Sequence, residues 1–435
     1  MKSFGMGGAL CLVLVLAASG CSSDDDSSTD AGTGSTATGD TTGATSDGDS
    51  TGDTDGTATA GDTTGGETTG DATGADTSGT DEGAVNACTT SDDCSNGDTC
   101  IEGVCLFTPV EAVVLTDNRD DNEVEAPPNL DCVGGAITAP ADGPETATIY
   151  GIVDRFGGGR QTINMQVSVF LASEWPPAEC TGRPFDEQRD CFREVEAPNG
   201  WSTISTDPEI EGQEVPATCS KHQDCPSGYE CVDLDFFVCS AQFGLYEIAG
   251  IPTNTALVIR ARNDESASIF DSKWKDTYTH GIYVFSDRVD DDGRYKTNAL
   301  MVSDSQWKTI PNTLFVSGGI KKGNGALGGR IRDCRGGDDR PSFTVGWASV
   351  NALTPGSALG YFNDNEADTV PLVDRKGTDI FGRFTIVDVP PGANRVAAAI
   401  NLDGTVTSLG AEDAYVVPDS LSVVAFPGKL PILNK

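Results

Sequence analysis

Histidine is almost missing from this chain: 435 residues contain two, His222 and His280. That scarcity removes the raw material for histidine metal sites and for histidine-based triads. No H-E-x-x-H or G-x-x-x-x-G-K-[ST] occurs, and the one G-x-S-x-G match, "GDSTG" (48–52), lies in a Thr/Gly/Asp-rich stretch with no strand or helix pattern around it, so no zinc-protease helix, phosphate cradle or nucleophile elbow is indicated. The stretches "SKWK" (272–275) and "SQWK" (305–308) fit S-x-x-K, but no S-D-N or K-T-G accompanies them, and they read as chance. Basic residues are few, 28 Lys and Arg against 67 Asp and Glu, for a net charge of −39. Like charges repel the phosphate backbone, which excludes nonspecific nucleic-acid binding. Beyond the first twenty residues no apolar run is long enough to span a bilayer.

What is present begins with Lys2 and the apolar "ALCLVLVLAA" (9–18), followed by "ASGC" ending at Cys21. A short apolar stretch behind a positive residue reads as an export signal, here residues 1–20. Ala18, Ser19 and Gly20 before a cysteine resemble the bacterial lipobox. That resemblance implies cleavage before Cys21, lipidation of Cys21 and a membrane anchor made of acyl chains alone. An ordinary secretory signal is the alternative. Ser22, next to the lipid cysteine, leans towards the outer membrane or cell surface.

Residues 21–87 form a linker. From Ser22 to Ala87 it holds 15 acidic residues and no Lys, Arg, aromatic, Leu or Ile. Such a composition buries too little apolar surface to offset its ordering entropy, so disorder is expected. As a flexible coil it reaches roughly 45 Å, enough for a stalk, and its threonines are candidate O-glycan acceptors.

The chain has 14 cysteines. Setting aside Cys11 in the signal and Cys21 leaves an even number in an exported protein, for which disulfides are the expected state. "CTTSDDCSNGDTCIEGVC" carries Cys88, Cys94, Cys100 and Cys105; "CSKHQDCPSGYECVDLDFFVC" carries Cys219, Cys225, Cys231 and Cys239. Both run C-x5-C-x5-C. Zinc favours tighter ligand spacing, and a lone His222 adds little to that reading. The clusters resemble the dickkopf N-type cysteine-rich repeats of myxobacterial-type surface lipoproteins. Connectivity within each cluster stays open. Cys180 and Cys191 bracket a short loop, which leaves Cys132 and Cys334 for each other by elimination.

A larger repeat organises the rest. "ATIYGIVDRFGGG" (147–159) and "ALGGRIRDCRGGD" (326–338) share Ile-x-Asp-x-x-Gly-Gly, a strand entering a tight turn. Period-2 stretches follow, with Met165, Val167, Val169 and Leu171 in one copy and Phe343, Val345 and Trp347 in the other. Then come "GLYEIAGIP" (244–252) and "GRFTIVDVPPG" (382–392), with Tyr246, Ile248, Ile251 and Phe384, Ile386, Val389 inward before a proline stop. This order resembles the carboxypeptidase regulatory-like domain, which implies a prealbumin-like sandwich but no activity. The fold expected is all-β: two tandem prealbumin/Ig-like antiparallel β-sandwiches plus small disulfide-rich modules after a disordered linker. The boundaries are a cysteine-rich module at 88–106, a connecting segment at 107–145, and sandwiches at 146–318 and 319–435. The first copy is longer by about forty residues, placed as a cysteine-rich insertion at about 174–241, in a loop where additions are tolerated.

Candidate sites are sparse. "DRVDDDGR" (287–294) lacks an EF-hand's ligand positions, leaving an irregular calcium site at Asp290, Asp291 and Asp292 or a polar hairpin turn. No other cofactor is implied. Trp274, Tyr278, Tyr283, Tyr295 and Trp307 crowd one stretch and are either a sugar-binding face or the completion of a core. The functional expectation is a non-enzymatic surface lipoprotein with a binding, adhesion or envelope-scaffold role. Its expected partners are a membrane and a polysaccharide or envelope protein. A carbohydrate-binding protein and a hydrolase with carboxylate pairs are the alternatives.

Overall fold

The computed structural model describes residues 86–117, 123–133, 139–140, 142–156, 162, 164–205, 230–233, 237–240, 244–263, 274–334, 343–365 and 369–426. The signal segment, Cys21, the linker to residue 85, Cys219, Cys225 and both Gly-Gly turns lie outside them, as do the side chains of Cys231 and Cys239.

The disulfide module comes first. β1 (Thr99–Ile101) and β2 (Val104–Leu106) make a hairpin, stapled by Cys88–Cys100 and Cys94–Cys105. Ile101, Val104 and Leu106 pack on Ala397 and Ala399, far along the chain. β3 (Val114–Thr116) follows. The first half opens with β4 (Thr146–Arg155) and β5 (Met165–Leu171). An insertion then supplies α1 (Ala178–Thr181), α2 (Phe185–Glu194), β6 (Ser202–Ile204), β7 (Glu230–Asp233) and β8 (Phe237–Ser240). β9 (Gly244–Pro252), β10 (Ala256–Asn263), β11 (Trp274–Lys275), β12 (Thr277–Tyr283), β13 (Arg294–Lys296) and β14 (Ala299–Ser303) complete it.

α3 (Asp304–Thr313) leads onward, its start fixed where Gln306 N donates to Ser303 Oγ and Ser303 N donates back to Gln306 Oε1. The second half holds β15 (Gly325–Ile331), β16 (Thr344–Gly346), β17 (Ser349–Ala352), β18 (Ala358–Phe362) and β19 (Pro371–Leu372). β20 (Arg383–Val389), β21 (Gly392–Leu402), β22 (Thr405–Val416) and β23 (Leu421–Phe426) end it.

The internal repeat is real at the level of pairing. β4 pairs β9 as β15 pairs β20, β5 pairs β10 as β17 pairs β21, and β10 pairs β12 as β21 pairs β22, all antiparallel. The all-β class holds and most pairs are antiparallel, but β14 runs parallel to β4 as β23 does to β15, so the sheets are mixed. Gly250 (φ +75) and Asp388 (φ +59) sit at matching bulges. The extra residue there explains why Ile251 and Val389 turn inward one step late.

Gly151 lies opposite Tyr246 and Gly329 opposite Phe384. A Cβ on either glycine would stand 1.9 or 2.0 Å from the carbonyl of Thr297 or Val424. The core residue matching Ile331 is therefore Val153, not Ile152, one place from the motif alignment. Trp347 also departs from the expected alternation: the strand breaks at a turn there, and Trp347 is half-buried.

The two halves are not separate sandwiches. A nine-stranded sheet runs through both in the order β19-β18-β20-β15-β23-β12-β10-β5-β6, with β23 parallel to a strand of each half. The boundary read at 318/319 thus falls inside one compact unit, Ser78–Lys435. The connecting segment also joins the second half, because β3 pairs β16 and Cys132 is bonded to Cys334.

Register fixes the sides, since paired side chains share a face. Ile259, Thr279 and Val423 form one row; Tyr278, Ser422 and Leu327 form the other. Ile259 belongs to the first core and Leu327 to the second, so the two covering sheets lie on opposite faces of the shared one. Each leaves half a face bare. α3 covers one such area with Ile310 and Leu314. The insertion covers the other with Trp175, Cys180, Cys191 and Phe192.

Candidate functional site

The aromatic stretch does not form a rim. Trp274 and Tyr295 are buried in the first core, and Tyr278 is buried on the opposite face of the shared sheet. Tyr278 lies 5.2 Å from Trp175 and 6.5 Å from Phe192, ring to ring. Tyr283 is half-buried with its ring 4.3 Å from Phe285, and its carbonyl accepts from Tyr295 Oη at 3.2 Å. Trp307 is half-buried on α3, with Lys275 Nζ 5.8 Å from its ring centre. Trp274, Tyr278 and Tyr295 are thus core residues turned away from solvent, whereas Tyr283 and Trp307 stay half-buried, and the five rings do not share one face. Alternation did not reveal this, because Tyr278 and Tyr295 serve cores on opposite faces of the same sheet.

The acidic loop is a turn. Asp290 Oδ1 accepts from the amides of Asp292 (3.1 Å) and Arg294 (2.7 Å), and Gly293 N donates to Asp290 O at 2.9 Å. The carboxylate is thus engaged in closing the hairpin. Cys88, Cys94 and Cys105 bring their sulfurs together, but each is in a disulfide and offers no thiolate for zinc. Cys180 is bonded to Cys191, closing the loop that joins α1 to α2.

Three polar assemblies were not visible in sequence. The first is Asp388, at the bulge where the first half has Gly250. It accepts from Lys321 N and Asn324 Nδ2, both at 2.8 Å, and from Ser357 Oγ. Burial raises its carboxyl, but these donors outweigh that and hold it below the ordinary carboxylate range. The second is Asp379 with Arg383, both buried, joined at 2.6 Å. Neither carboxylate resembles a free acid or base for hydrolysis, since each already serves protein donors.

The third lies under the insertion, where the halves meet. Arg260 is buried, its Nη1 donating to Phe192 O at 2.5 Å and its Nη2 to Ser168 Oγ at 3.2 Å. Burial lowers its guanidinium to about 10. Burial likewise raises the Asp276 carboxyl, against the pull of Arg193 at 3.1 Å. His280 shares this face of the sheet and is hydrogen-bonded to the Tyr415 backbone, with no partner for Nε2. Burial pulls its imidazole down to about 4.

The sign of its effect is definite. Unfolded His280 takes a proton below about pH 6.5, whereas the folded one does so only below about 4. Stability is therefore complete above pH 6.5 and falls as pH drops towards 4, by about 3 kcal/mol at most. Asp276, with its raised carboxyl, contributes in the opposite direction, so the variant comparison matters. Urea midpoints at pH 7 and pH 4.5 are expected to differ less in His280→Gln than in the wild type; equal differences would remove His280 from the acid response.

No protein-family model matches the chain, and no curated protein does. Among solved structures, a mutant of the shaft pilin SpaA from Lactobacillus rhamnosus GG is similar at 9% identity and TM-score 0.17, over 65% of this chain and 97% of that one. The Streptococcal ancillary pilin matches at 10% identity and TM-score 0.15, over 65% and 62%. The minor pilin GBS52 of Streptococcus agalactiae matches at 9% and 0.15, over 65% and 94%. Similarities this low carry no argument about function. Among the described residues no helix is long and apolar enough to cross a membrane.

Proposed function

We propose that the chain is a non-enzymatic surface protein of the cell envelope, anchored by lipid at Cys21 and held off the membrane by its acidic linker. In this reading the stapled β-domain binds or adheres rather than catalyses. One observation supports it most: eight cysteines of the described residues stand in four disulfides, the state of an oxidising compartment. Two of those bridges staple the module where the linker enters the domain, beside Leu353, whose carbonyl accepts from Asn86 N at 2.8 Å. Radiolabelled palmitate is expected to mark the wild type and not Cys21→Ala. An unlabelled wild type, or a labelled Cys21→Ala, overturns the anchor.

A further inference from the structure

The helical part of the insertion, 172–200, is rooted at both ends on one strand, β5. It leaves where β5 stops at Leu171 and returns as β6, whose Ser202 pairs with Ser168. Trp201 O accepts from Val169 N at 2.9 Å and fixes the second root. Between the roots the backbone bonds of α1, α2 and their turns stay inside the segment. Cys180 N and Thr181 N donate to Pro177 O, Gln188 N to Pro184 O, and Val195 N to Cys191 O. Among the described residues, no backbone–backbone bond runs from 172–200 to a strand.

Side chains hold this segment down on the shared sheet. Trp175 lies 4.9 Å from Phe170 and 5.2 Å from Tyr278, and Phe192 lies 5.4 Å from Tyr415, ring to ring. Arg193 pairs with Asp276 of the first half at 3.1 Å, and Arg189 with Asp419 of the second at 3.9 Å. Arg260, from the sheet, donates through Nη1 to Phe192 O. The contact is nonetheless incomplete at its centre. Trp175 Nε1, Tyr278 Oη and Arg260 Nε are buried there and have no hydrogen-bond partner in the protein. They are neighbours, since Arg260 and Tyr278 face each other across β10 and β12 and Trp175 lies on Tyr278. A buried donor without an acceptor gives up the bond it makes in water, so each is a standing cost of the closed arrangement.

We propose that 172–200 is a lid, which opens as one unit on its two roots while both halves stay folded. Lifting it returns the three donors to solvent, and that gain offsets part of the apolar contact it gives up. The Cys180–Cys191 bond keeps α1 and α2 together in the open state. The sheet beneath does not depend on the lid, because β5, β10, β12 and β23 are joined by their own ladders. Opening uncovers a strip built by both halves: Phe170, Val258 and Tyr278 from the first, Val417 from the second.

The test is native-state hydrogen exchange of the full chain, read peptide by peptide by mass spectrometry. Amides of α2 should exchange about tenfold or more faster than those of β10 and β12. Low urea should barely change the α2 rate, since lid opening exposes far less surface than unfolding. Two substitutions have opposite expected signs. Tyr278→Phe removes an unpartnered hydroxyl and keeps the ring, so α2 should exchange severalfold more slowly. Arg193→Gln removes an ion pair of the lid, so α2 should exchange severalfold faster, with β10 unchanged in both variants. Exchange of α2 at the rate of β10, a urea dependence equal to that of β10, or wild-type α2 exchange in Tyr278→Phe overturns the proposal.

Discussion

Ending the chain after Val417 is expected to unfold both halves, not only the second. The deletion removes β23, which sits between β12 and β15 in the shared sheet. Leu421, Val423, Val424 and Phe426 are buried, and each contributes roughly 1.5–3 kcal/mol. Together they approach the roughly 5–15 kcal/mol that separates folded from unfolded domains. The backbone loses partners on both sides, since β23 pairs with β12 over three residues and with β15 over six. Trp201 and Trp274 report on the first half, because both are buried in its core. Their fluorescence should redden in the truncated chain, and the wild type should show one calorimetric transition. A truncated chain with a native first half, or a wild type melting in two separate steps, would show that the halves are independent after all.

Much of this architecture was legible because it rests on short-range rules. The matching Gly-aromatic strands mark equivalent positions, and Tyr246 and Phe384 do occupy the two cores. The shared sheet was not legible, for a physical reason. β23 reads "LSVVAF", a short apolar run without clean alternation, as a strand covered on both faces must be. Nothing in such a run says whose strands lie beside it. Parallel partners distant in sequence leave no turn signal either, and β23 meets β12 more than a hundred residues away.

The candidate site was harder still. Aromatic density drew attention to residues 274–307, yet density alone does not separate a core from a surface. Trp347 was read as one more inward residue of a period-2 strand. What distinguishes it is a left-handed backbone held by Gly377 and Thr378, thirty residues on, and by Arg375 over its ring. The Gly346-Trp347 pair was the one local hint, since a glycine inside a strand pattern often marks an interruption.

Asp379→Ala is expected to cost about 3–5 kcal/mol, the largest effect of any single substitution considered. Asp379 and Arg383 are buried where the first half presents Leu245, 40% exposed, at the position matching Arg383. The carboxylate accepts from Arg383 N and Nε, both at 2.6 Å. The guanidinium also donates to the carbonyls of Asn363 and Asn365, and its carbon lies 5.1 Å from Phe381 and 5.2 Å from Phe362. Burial still pushes the Asp379 carboxyl up, against the Arg383 charge, so the pair itself adds little net stability. Removing one partner is costly because the other charge stays buried without compensation. Arg383→Met alone should be similarly harmful, and Asp379→Ala with Arg383→Met should lose less than the sum of the two. Urea unfolding of the four proteins measures this coupling. Additive losses would mean that the two groups act separately and that Arg383 is held by the carbonyls and rings alone.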